Sequence, residues 1–303
     1  MCADLSDDSL EVRRYSVAIP ASVISDTPHL REKTAKLGTI ARATSIFGVS
    51  EIVLYADAES HDQEADVEFC VEILRYLETP QYLRKRMFKL NPMLKFTGIL
   101  PPLQAPHHNV PRLMAAAKIG DVREGLVISR ASHGSLVEVG LEKPISVPGT
   151  YKDGERITIR LTALGQNPRG ETIEPAGKPK PYWGYKVRKA KSLGKLLNDE
   201  HWHLRLGTSR YGNPIQECFG RISKDMKTSE STIIAFGSPK MGLKEILAAE
   251  DLAYTDVFDY FVNTVPSQET TTVRTEEAMF VSLGVFNLAL KLREGTTAGV
   301  SQG

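Results

Sequence analysis

Apolar positions in the first part of the chain alternate between strand-like runs and helical spacing. Residues 15–24 and 51–55 are apolar runs of the kind that buried strands show. Between them, apolar residues recur at helical spacing as far as Gly48, and Thr27–Pro28 is a typical helix start. A second amphipathic helix is predicted over residues 64–77. This alternation of strands and helices predicts an α/β fold with a parallel sheet.

The pattern changes after about residue 92. Short segments rich in β-branched residues follow, separated by Gly, Pro and Asp turns, at 95–100, 125–129, 136–139, 145–147 and 156–161. Such spacing predicts a small β-barrel, for which the OB-fold is the natural candidate. Because neither outer piece has enough strands alone, we predict that the barrel is inserted within one α/β domain.

These patterns divide the chain into three kinds of segment. Residues 12–92 and 170–293 are predicted to form a discontinuous α/β domain, and residues 93–169 the inserted OB-like barrel. Residues 1–11 and 294–303 are predicted to be flexible termini.

Three strand-like runs in the last third each end in a small, polar, turn-rich loop. The loops are Gly-Thr-Ser-Arg-Tyr-Gly at 207–212, Phe-Gly-Ser-Pro-Lys-Met-Gly at 236–242 and Asn-Thr-Val-Pro-Ser-Gln at 263–268. In an open α/β sheet, ligands bind outside the carboxyl ends of the strands. Three such loops in succession therefore predict a ligand site.

The helix predicted over residues 276–292 is apolar nearly all round. A helix without a polar face is buried on every side. Two explanations stay open: the helix lies beneath other segments of the chain, or a partner subunit covers it.

Charge is nearly balanced overall, with a formal net charge of +1, but it is unevenly distributed. Residues 79–120 and 175–198 each contain seven basic residues and no acidic residue. These runs are either solvated surface or two basic patches for a polyanion such as RNA. Tyr182, Trp183 and Tyr185 lie in the second run, where their rings are candidates for stacking on bases.

Several familiar chemistries are disfavoured by the motifs. Gly-Lys-Ser/Thr, Gly-x-Gly-x-x-Gly and Gly-x-Ser-x-Gly are all missing from the candidate loops, and the histidines have no standard metal-ligand spacing, so no metal is predicted. No apolar run is long enough to span a bilayer. Three cysteines without a framework fit a reducing compartment, so we predict a cytoplasmic protein.

The three loops together resemble the cofactor loops of SPOUT-class RNA methyltransferases. Phe-Gly-Ser-Pro at 236–239 followed by Asn-Thr-Val-Pro at 263–266 is a specific combination, and the helical stretch 36–43 and the inserted barrel extend the match. The chain is most similar to the branch with an inserted OB-like domain, whose relatives are linked to uridine N3-methylation of ribosomal RNA. The resemblance implies a SPOUT α/β knot (a deep trefoil) with an inserted barrel, S-adenosyl-L-methionine as cofactor, RNA as partner, a role in rRNA processing and a homodimer.

The resemblance also implies which residues bind the cofactor. Small residues would let the backbone approach the purine, apolar residues would wall it, and hydroxyl and amide groups would supply polar contacts. The predicted cofactor-binding residues are Thr208, Ser209, Arg210, Phe236, Gly237, Ser238, Gly242, Asn263, Thr264, Val265, Pro266, Val273 and Thr275.

Methyl transfer to a ring nitrogen such as uridine N3 also requires that the nitrogen lose its proton. A cation that stabilises the developing anion would help. The resemblance implies that Arg42, in the first helix, is this catalytic residue and that it acts across a dimer interface. Arg210 and Arg274, which flank the loops, are second choices.

Two other functions stay open from the sequence. A non-catalytic RNA-binding protein with a degenerate SPOUT fold would use the barrel and the basic runs. A Rossmann-type dinucleotide enzyme is disfavoured by the missing glycine motif and the missing ribose-binding acid.

Overall fold

The computed structural model describes residues 14–57, 63–131, 134–173 and 182–291. The chain divides into two compact units, residues 1–71 with 185–303, and residues 72–184. The second unit begins earlier and ends later than the insert predicted over 93–169, and the predicted domain ends stay a prediction. The predicted flexible termini lie outside the described residues.

The chain begins with the predicted alternation of strands and helices. The elements are β1 (Arg14–Pro20), α1 (Leu30–Ile46), β2 (Glu51–Tyr55) and α2 (Glu64–Glu78). Two predicted ends are wrong. The first strand stops at Pro20 because residues Ala21–Ile24 form a buried 3-10 turn. The N-cap of α1 is His29 rather than the predicted Thr27, whose hydroxyl donates to Asp26 instead of capping the helix.

The second unit contains the barrel. Its elements are α3 (Gln81–Met87), β3 (Val122–Ala131), β4 (Gly134–Glu138), β5 (Ile145–Val147), β6 (Arg156–Ala163) and β7 (Arg169–Thr172). The five strands, all within the described residues, close in the order β3-β4-β5-β7-β6, which confirms the predicted small barrel. Its interior is packed with buried apolar side chains, among them Val127, Val137, Ile145, Ile159 and Leu161.

One predicted strand of the barrel is wrong. Residues 95–100 form no strand; two short 3-10 turns, Pro92–Leu94 and Thr97–Ile99, occupy this region. The Asn91 side chain accepts a hydrogen bond from Met93 N and Pro92 follows it, which is a start signal for helical turns rather than for a strand. The fifth strand of the barrel is β7 instead.

A buried ionic cluster lies in the second unit. Arg156 on β6 donates to both carboxylate oxygens of Glu78 (2.5 and 2.9 Å) and to Glu124 on β3 (2.7 Å). Trp183 Nε1 also donates to Glu124, and its ring packs against His107. The ring of Tyr185 is buried as well. Tyr185 is therefore packed inside and does not offer the stacking surface predicted for it, whereas the Trp183 ring is half-buried against the cluster.

The two adjacent histidines join the same cluster. Nε2 of His107 and Nε2 of His108 donate to the backbone carbonyl of Glu78, at 3.1 and 2.7 Å. Burial alone would raise the pKa of Glu78, but hydrogen bonding from His107 and the charge of Arg156 outweigh it and lower that pKa to about 2. Burial, with the neighbouring His107, lowers the pKa of His108 to about 4.

After the barrel the α/β alternation resumes. The elements are β8 (Lys186–Ala190), α4 (Leu193–Asn198), β9 (Leu204–Pro214), α5 (Ile215–Thr228), β10 (Ser231–Ala235), α6 (Leu243–Ala248), α7 (Tyr254–Val257), β11 (Tyr260–Asn263) and α8 (Thr275–Lys291). Six strands of the described residues form one parallel sheet in the order β11-β9-β10-β1-β2-β8. The predicted α/β frame with an inserted barrel is confirmed.

Both faces of this sheet are covered, as a parallel sheet requires. One face packs on α4, α6 and α7 through an apolar cluster that includes Ala18, Val53, Tyr55, Ile233 and Phe261. The final helix α8 packs against α1 and α5, and Ser223 Oγ donates to Ala289 O at 2.7 Å. The helix is not buried all round by this chain, because Val281 and Leu288 are 41% and 54% exposed.

We expect acidification to destabilise the second unit through His108. Since its pKa is about 4 in the folded state and 6.5 ordinarily, the unfolded state binds more protons between these values. This contribution to stability is fully present above pH 6.5 and is lost as the pH falls toward 4, at up to about 1.4 kcal/mol per pH unit. Thermal unfolding between pH 7.5 and roughly 4 measures it.

His108→Gln is the matched variant, because it keeps an N–H donor but does not titrate. Its midpoint should fall less steeply below pH 6.5 than that of the wild type. Parallel curves for the two proteins would contradict this explanation.

Candidate active site

The carboxyl ends of the parallel strands lie along one edge of the sheet and carry the three predicted loops. Two residues that the sequence reasoning did not single out lie at the same edge. Ser22, after β1, donates to the buried carboxylate of Asp57, after β2, through its backbone N (3.2 Å) and its hydroxyl. Asp57 carries a signal similar to that of the predicted loops, a polar residue two positions after a buried strand.

The first predicted loop is a bulge within β9 rather than a turn after it. Gly207 pairs with Phe261 on β11, and the next paired residue, Asn213, is already opposite Val262. Residues 208–212 therefore leave the ladder and rejoin it. The prediction that the strand ends at Leu206 is wrong, because Asn213 and Pro214 resume the pairing with β11.

A glycine is required where the bulge closes. A Cβ placed on Gly212 would lie 2.5–2.7 Å from the backbone C, Cα and N of Val262. Backbone atoms in a ladder cannot move aside without breaking it, so any larger residue here displaces the bulge or β11.

Hydrogen bonds tie the three loops to one another. Thr208 Oγ1 in the bulge donates to Ala235 O at the end of β10 (2.9 Å), and Asn263 Nδ2 donates to Arg210 O (3.0 Å). Thr275 Oγ1, at the start of α8, donates to Gly237 O (3.1 Å). The structure thus brings the predicted loops together at one place.

The second loop is held by hydrogen bonds to β1 and β2 and by hydrogen bonds within the loop. Phe236 is buried, its N–H donates to Ala18 O (2.9 Å), and its carbonyl accepts from Tyr55 OH (2.6 Å). Ser238 Oγ accepts from Met241 N (2.9 Å), and a Cβ on Gly237 would lie 3.1 Å from Met241 O. The loop therefore folds back on itself, and Gly242 precedes α6 as its N-cap.

The third loop is a turn followed by a buried anchor. Asn263 Oδ1 accepts from Val265 N (2.9 Å), and the hydroxyls of Thr264 and Ser282 lie 2.8 Å apart in the buried interior. Val265, Pro266 and Val273 are half-buried. These apolar side chains form the partly open part of this loop.

The predicted site residues thus fall into two groups. The polar side chains are engaged within and between the loops, as is Ser209 Oγ, which accepts from Tyr211 N. The half-buried apolar side chains and Gly237 are what remains for a ligand to contact. The individual cofactor-binding roles stay predictions.

Arg42, the predicted catalytic residue, lies on α1 and is half-buried. The same helix carries Lys36, a buried lysine whose Nζ donates to Asp26 (2.7 and 2.9 Å) and lies 3.4 Å from Glu276 on α8. Burial would raise the pKa of Asp26, but the Lys36 hydrogen bond and charge outweigh it and lower that pKa. This ion pair joins the start of α8 to α1. A lysine among the apolar positions of the helix was the signal for it in the sequence.

A protein-family model described as "Putative RNA methyltransferase" matches residues 14–286. The chain belongs to this RNA methyltransferase family. The mouse protein named "28S rRNA (uridine-N(3))-methyltransferase" is 34% identical over 91% of this chain and 76% of its own length. The human protein of the same name is 33% identical over 91% of this chain and 78% of its own length.

Solved structures are less similar to this RNA methyltransferase than the mouse and human proteins are. The SpoU methyltransferase AviRb from Streptomyces viridochromogenes, in complex with the cofactor AdoMet, aligns with a TM-score of 0.36 and 10% identity. The alignment covers 95% of this chain and 62% of that chain.

Neither a metal-ion site nor a membrane-spanning helix is found among the described residues of this methyltransferase. Its described residues contain no group of three or more His, Cys, Asp or Glu side chains placed to hold a metal ion. Among the helices of the described ranges, none combines the length and apolar character needed to cross a bilayer.

Gly212→Ala should disrupt the bulge, whereas Gly220→Ala on α5 is its matched control. A Cβ on Gly220 meets nothing within 4 Å. We expect Gly212→Ala to lower the free energy of unfolding by about 1–3 kcal/mol. Gly220→Ala should raise it by about 0.5–1 kcal/mol, since alanine is the better helix former. Denaturant titration measures both, and equal effects of the two substitutions would contradict the model of the bulge.

Proposed function

We propose that this protein transfers a methyl group from S-adenosylmethionine to N3 of a uridine in large-subunit ribosomal RNA. The observation that carries the proposal is family membership over nearly the whole chain, combined with three loops tied together at the carboxyl edge of the sheet. The mouse and human relatives, which cover most of this chain, are named for this reaction on 28S rRNA.

The loops fit the chemistry of this cofactor. A Cβ placed on Gly237 would lie 3.1–3.2 Å from Met241 O and Gly242 Cα, and the glycine there leaves backbone rather than side chain at the surface. Val265, Pro266 and Val273 supply apolar contact for a purine. The cofactor supplies an activated methyl group when bound. The protein then has to hold the acceptor in line and exclude water, and loops fixed by mutual hydrogen bonds suit that task.

Arg42 is proposed to stabilise the acceptor as its N3 proton leaves. A guanidinium stays charged at neutral pH and presents planar N–H donors to a uracil oxygen. Ile46 lies one helical turn after Arg42, and is 52% exposed. Residues four apart share a face of a helix, so Arg42 and Ile46 lie on the same side of α1.

That side of α1 adjoins an exposed apolar stripe on α8. Val281, Gly284 and Leu288 lie at helical spacing, and the rings of Phe47 and Phe280 join the two helices in an edge-to-face contact. Exposed large apolar residues grouped in this way mark an interaction surface. A second copy of the chain is the proposed occupant, which would bring Arg42 to the interface between subunits.

The first basic run supplies side chains for RNA phosphates. Lys85, Arg86 and Lys89 are exposed in or just after α3, and Leu90 beside them is fully exposed. Such positive groups provide affinity that does not depend on sequence. Part of the second basic run, including Lys178 and Lys180, lies outside the described residues.

The cytoplasm remains the proposed compartment. Cys70 and Cys218 are free and buried, which suits a reducing environment. Fractionation of cells followed by immunodetection tests it.

The central experiment combines cofactor binding with analysis of the RNA product. Calorimetry should show one S-adenosylmethionine per chain, and nucleoside mass spectrometry should find N3-methyluridine in large-subunit rRNA after incubation with the protein. Arg42→Ala should lower the rate of methyl transfer about a hundredfold, the usual cost of removing one electrostatic donor, with cofactor affinity unchanged. Arg31→Ala, on the exposed start of the same helix, is the control.

Three results would overturn parts of this proposal. No cofactor binding would leave an RNA-binding protein without the activity. Methylation at another atom would refute the uridine N3 assignment. A wild-type rate for Arg42→Ala would remove Arg42 from the reaction.

The dimer is tested by Leu288→Glu, which places a charge at the most exposed residue of the stripe on α8. Sedimentation should show a dimer for the wild-type protein and a monomer for the variant, because an unpaired charge in an apolar interface is costly. Leu113→Glu, at an apolar residue that is 60% exposed in the second unit, should leave the dimer intact. A wild-type protein that sediments as a monomer would refute the dimer.

A further inference from the structure

Tyr211 is an exposed aromatic ring in the middle of the β9 bulge. The residue is 64% exposed. Within the described ranges, the other exposed large apolar residues are all aliphatic. The other exposed large apolar residues of this unit, Ile46, Val281 and Leu288, lie on α1 and α8. Tyr211 therefore lies on a different element from the residues of the proposed dimer surface, on a loop of the candidate active site.

The ring is held rather than free to rotate. The Arg210 guanidinium lies over it, with Cζ 4.6 Å from the ring centroid, and donates to the Tyr211 hydroxyl. Arg210 Nη1 also donates to Thr271 O (2.9 Å), and Arg210 O accepts from Asn263 (3.0 Å). The backbone of Tyr211 donates to Ser209 Oγ (3.2 Å). An exposed ring that is fixed in this way loses little conformational entropy when a ligand stacks on it.

The chemistry of the pair suits a nucleobase. One side of the ring is covered by the guanidinium, and most of the ring area is open to solvent. A planar aromatic face beside a fixed positive charge is the combination with which proteins bind unpaired bases of RNA. The hydroxyls of Thr208, Thr264 and Thr275 nearby already hydrogen-bond within the protein, to two backbone carbonyls and to Ser282.

From these contacts we infer that Tyr211 is the stacking platform for a nucleobase of the acceptor RNA at the site of methylation, with Arg210 holding its ring in place. Tyr211 is a positioning residue: it orients the acceptor and takes no part in the chemical step. The inference rests on the proposed function and assigns the acceptor to the bulge, whereas the half-buried side chains Val265, Pro266 and Val273 are left for the cofactor.

The test compares Tyr211→Ala with Tyr211→Phe, which keeps the ring. The probes are an unmodified large-subunit rRNA transcript for methyl transfer and a labelled ten-nucleotide oligouridylate for binding by fluorescence anisotropy. Tyr211→Ala should raise KM for the transcript and weaken oligouridylate binding about tenfold or more, the usual effect of losing one stacked base. Tyr211→Phe should restore most of both. Asn213→Ala, an exposed neighbour on the same strand, is the control.

Cofactor affinity and subunit association separate this inference from its alternatives. In the expected result, the calorimetric Kd for S-adenosylmethionine and the sedimentation of Tyr211→Ala equal those of the wild type. A matching loss of cofactor affinity would overturn the inference and make Tyr211 a cofactor contact. Loss of the dimer would overturn it in favour of an interface role, and wild-type KM and oligouridylate binding would overturn it outright.

Failure of the proposed function can be distinguished from failure of the inference about Tyr211. If the wild-type protein binds no S-adenosylmethionine and methylates no RNA, the proposed function and this inference both fall. If the wild type methylates RNA and Tyr211→Ala does so equally well, the inference alone is wrong.

Discussion

The hydrogen bond from Thr275 to Gly237 is the link on which the arrangement of the active site depends. The chain leaves the sheet at its edge strand β11 and must return past β9 before it can reach the end of β10. The bond fixes this return, because it joins the first residue of α8 to the loop after β10. From that point α8 can pack against α1 and α5, place Ser282 against Thr264, and bring Glu276 to Lys36.

The polar residues of the loops form hydrogen bonds within the protein itself. A loop outside a regular ladder leaves backbone carbonyls without partners, and burial of such groups is costly. Asn263 and Thr275 donate to carbonyls of this kind in a neighbouring loop, and Thr208 donates to the carbonyl of Ala235 at the end of β10. The result is a set of loops held to one another and to the ends of the strands by hydrogen bonds. Rigid positioning is what methyl transfer from an already activated donor requires of a protein.

The inserted barrel shows the same use of polar groups. Glu78 and Glu124 are buried, and both carboxylates pair with the single guanidinium of the half-buried Arg156. Aromatic residues in a basic stretch were expected to face RNA, but Trp183 is bound to this cluster. Composition cannot separate the two roles, because a tryptophan among lysines has the same sequence signature whether its ring faces solvent or a buried carboxylate.

Sequence pattern by itself determined the parallel α/β frame, the inserted barrel and the three loops at the carboxyl edge. These follow from local periodicity and from turn residues, which act over a few neighbouring positions. Tertiary structure alone decided that β9 continues beyond Gly207, because its pairing resumes with a strand some fifty residues later. It also decided that residues 95–100 form turns and that Lys36 is paired with carboxylates from two other segments. Contacts between residues far apart in the chain leave no local pattern, so only the folded chain shows which polar side chains hold the loops together.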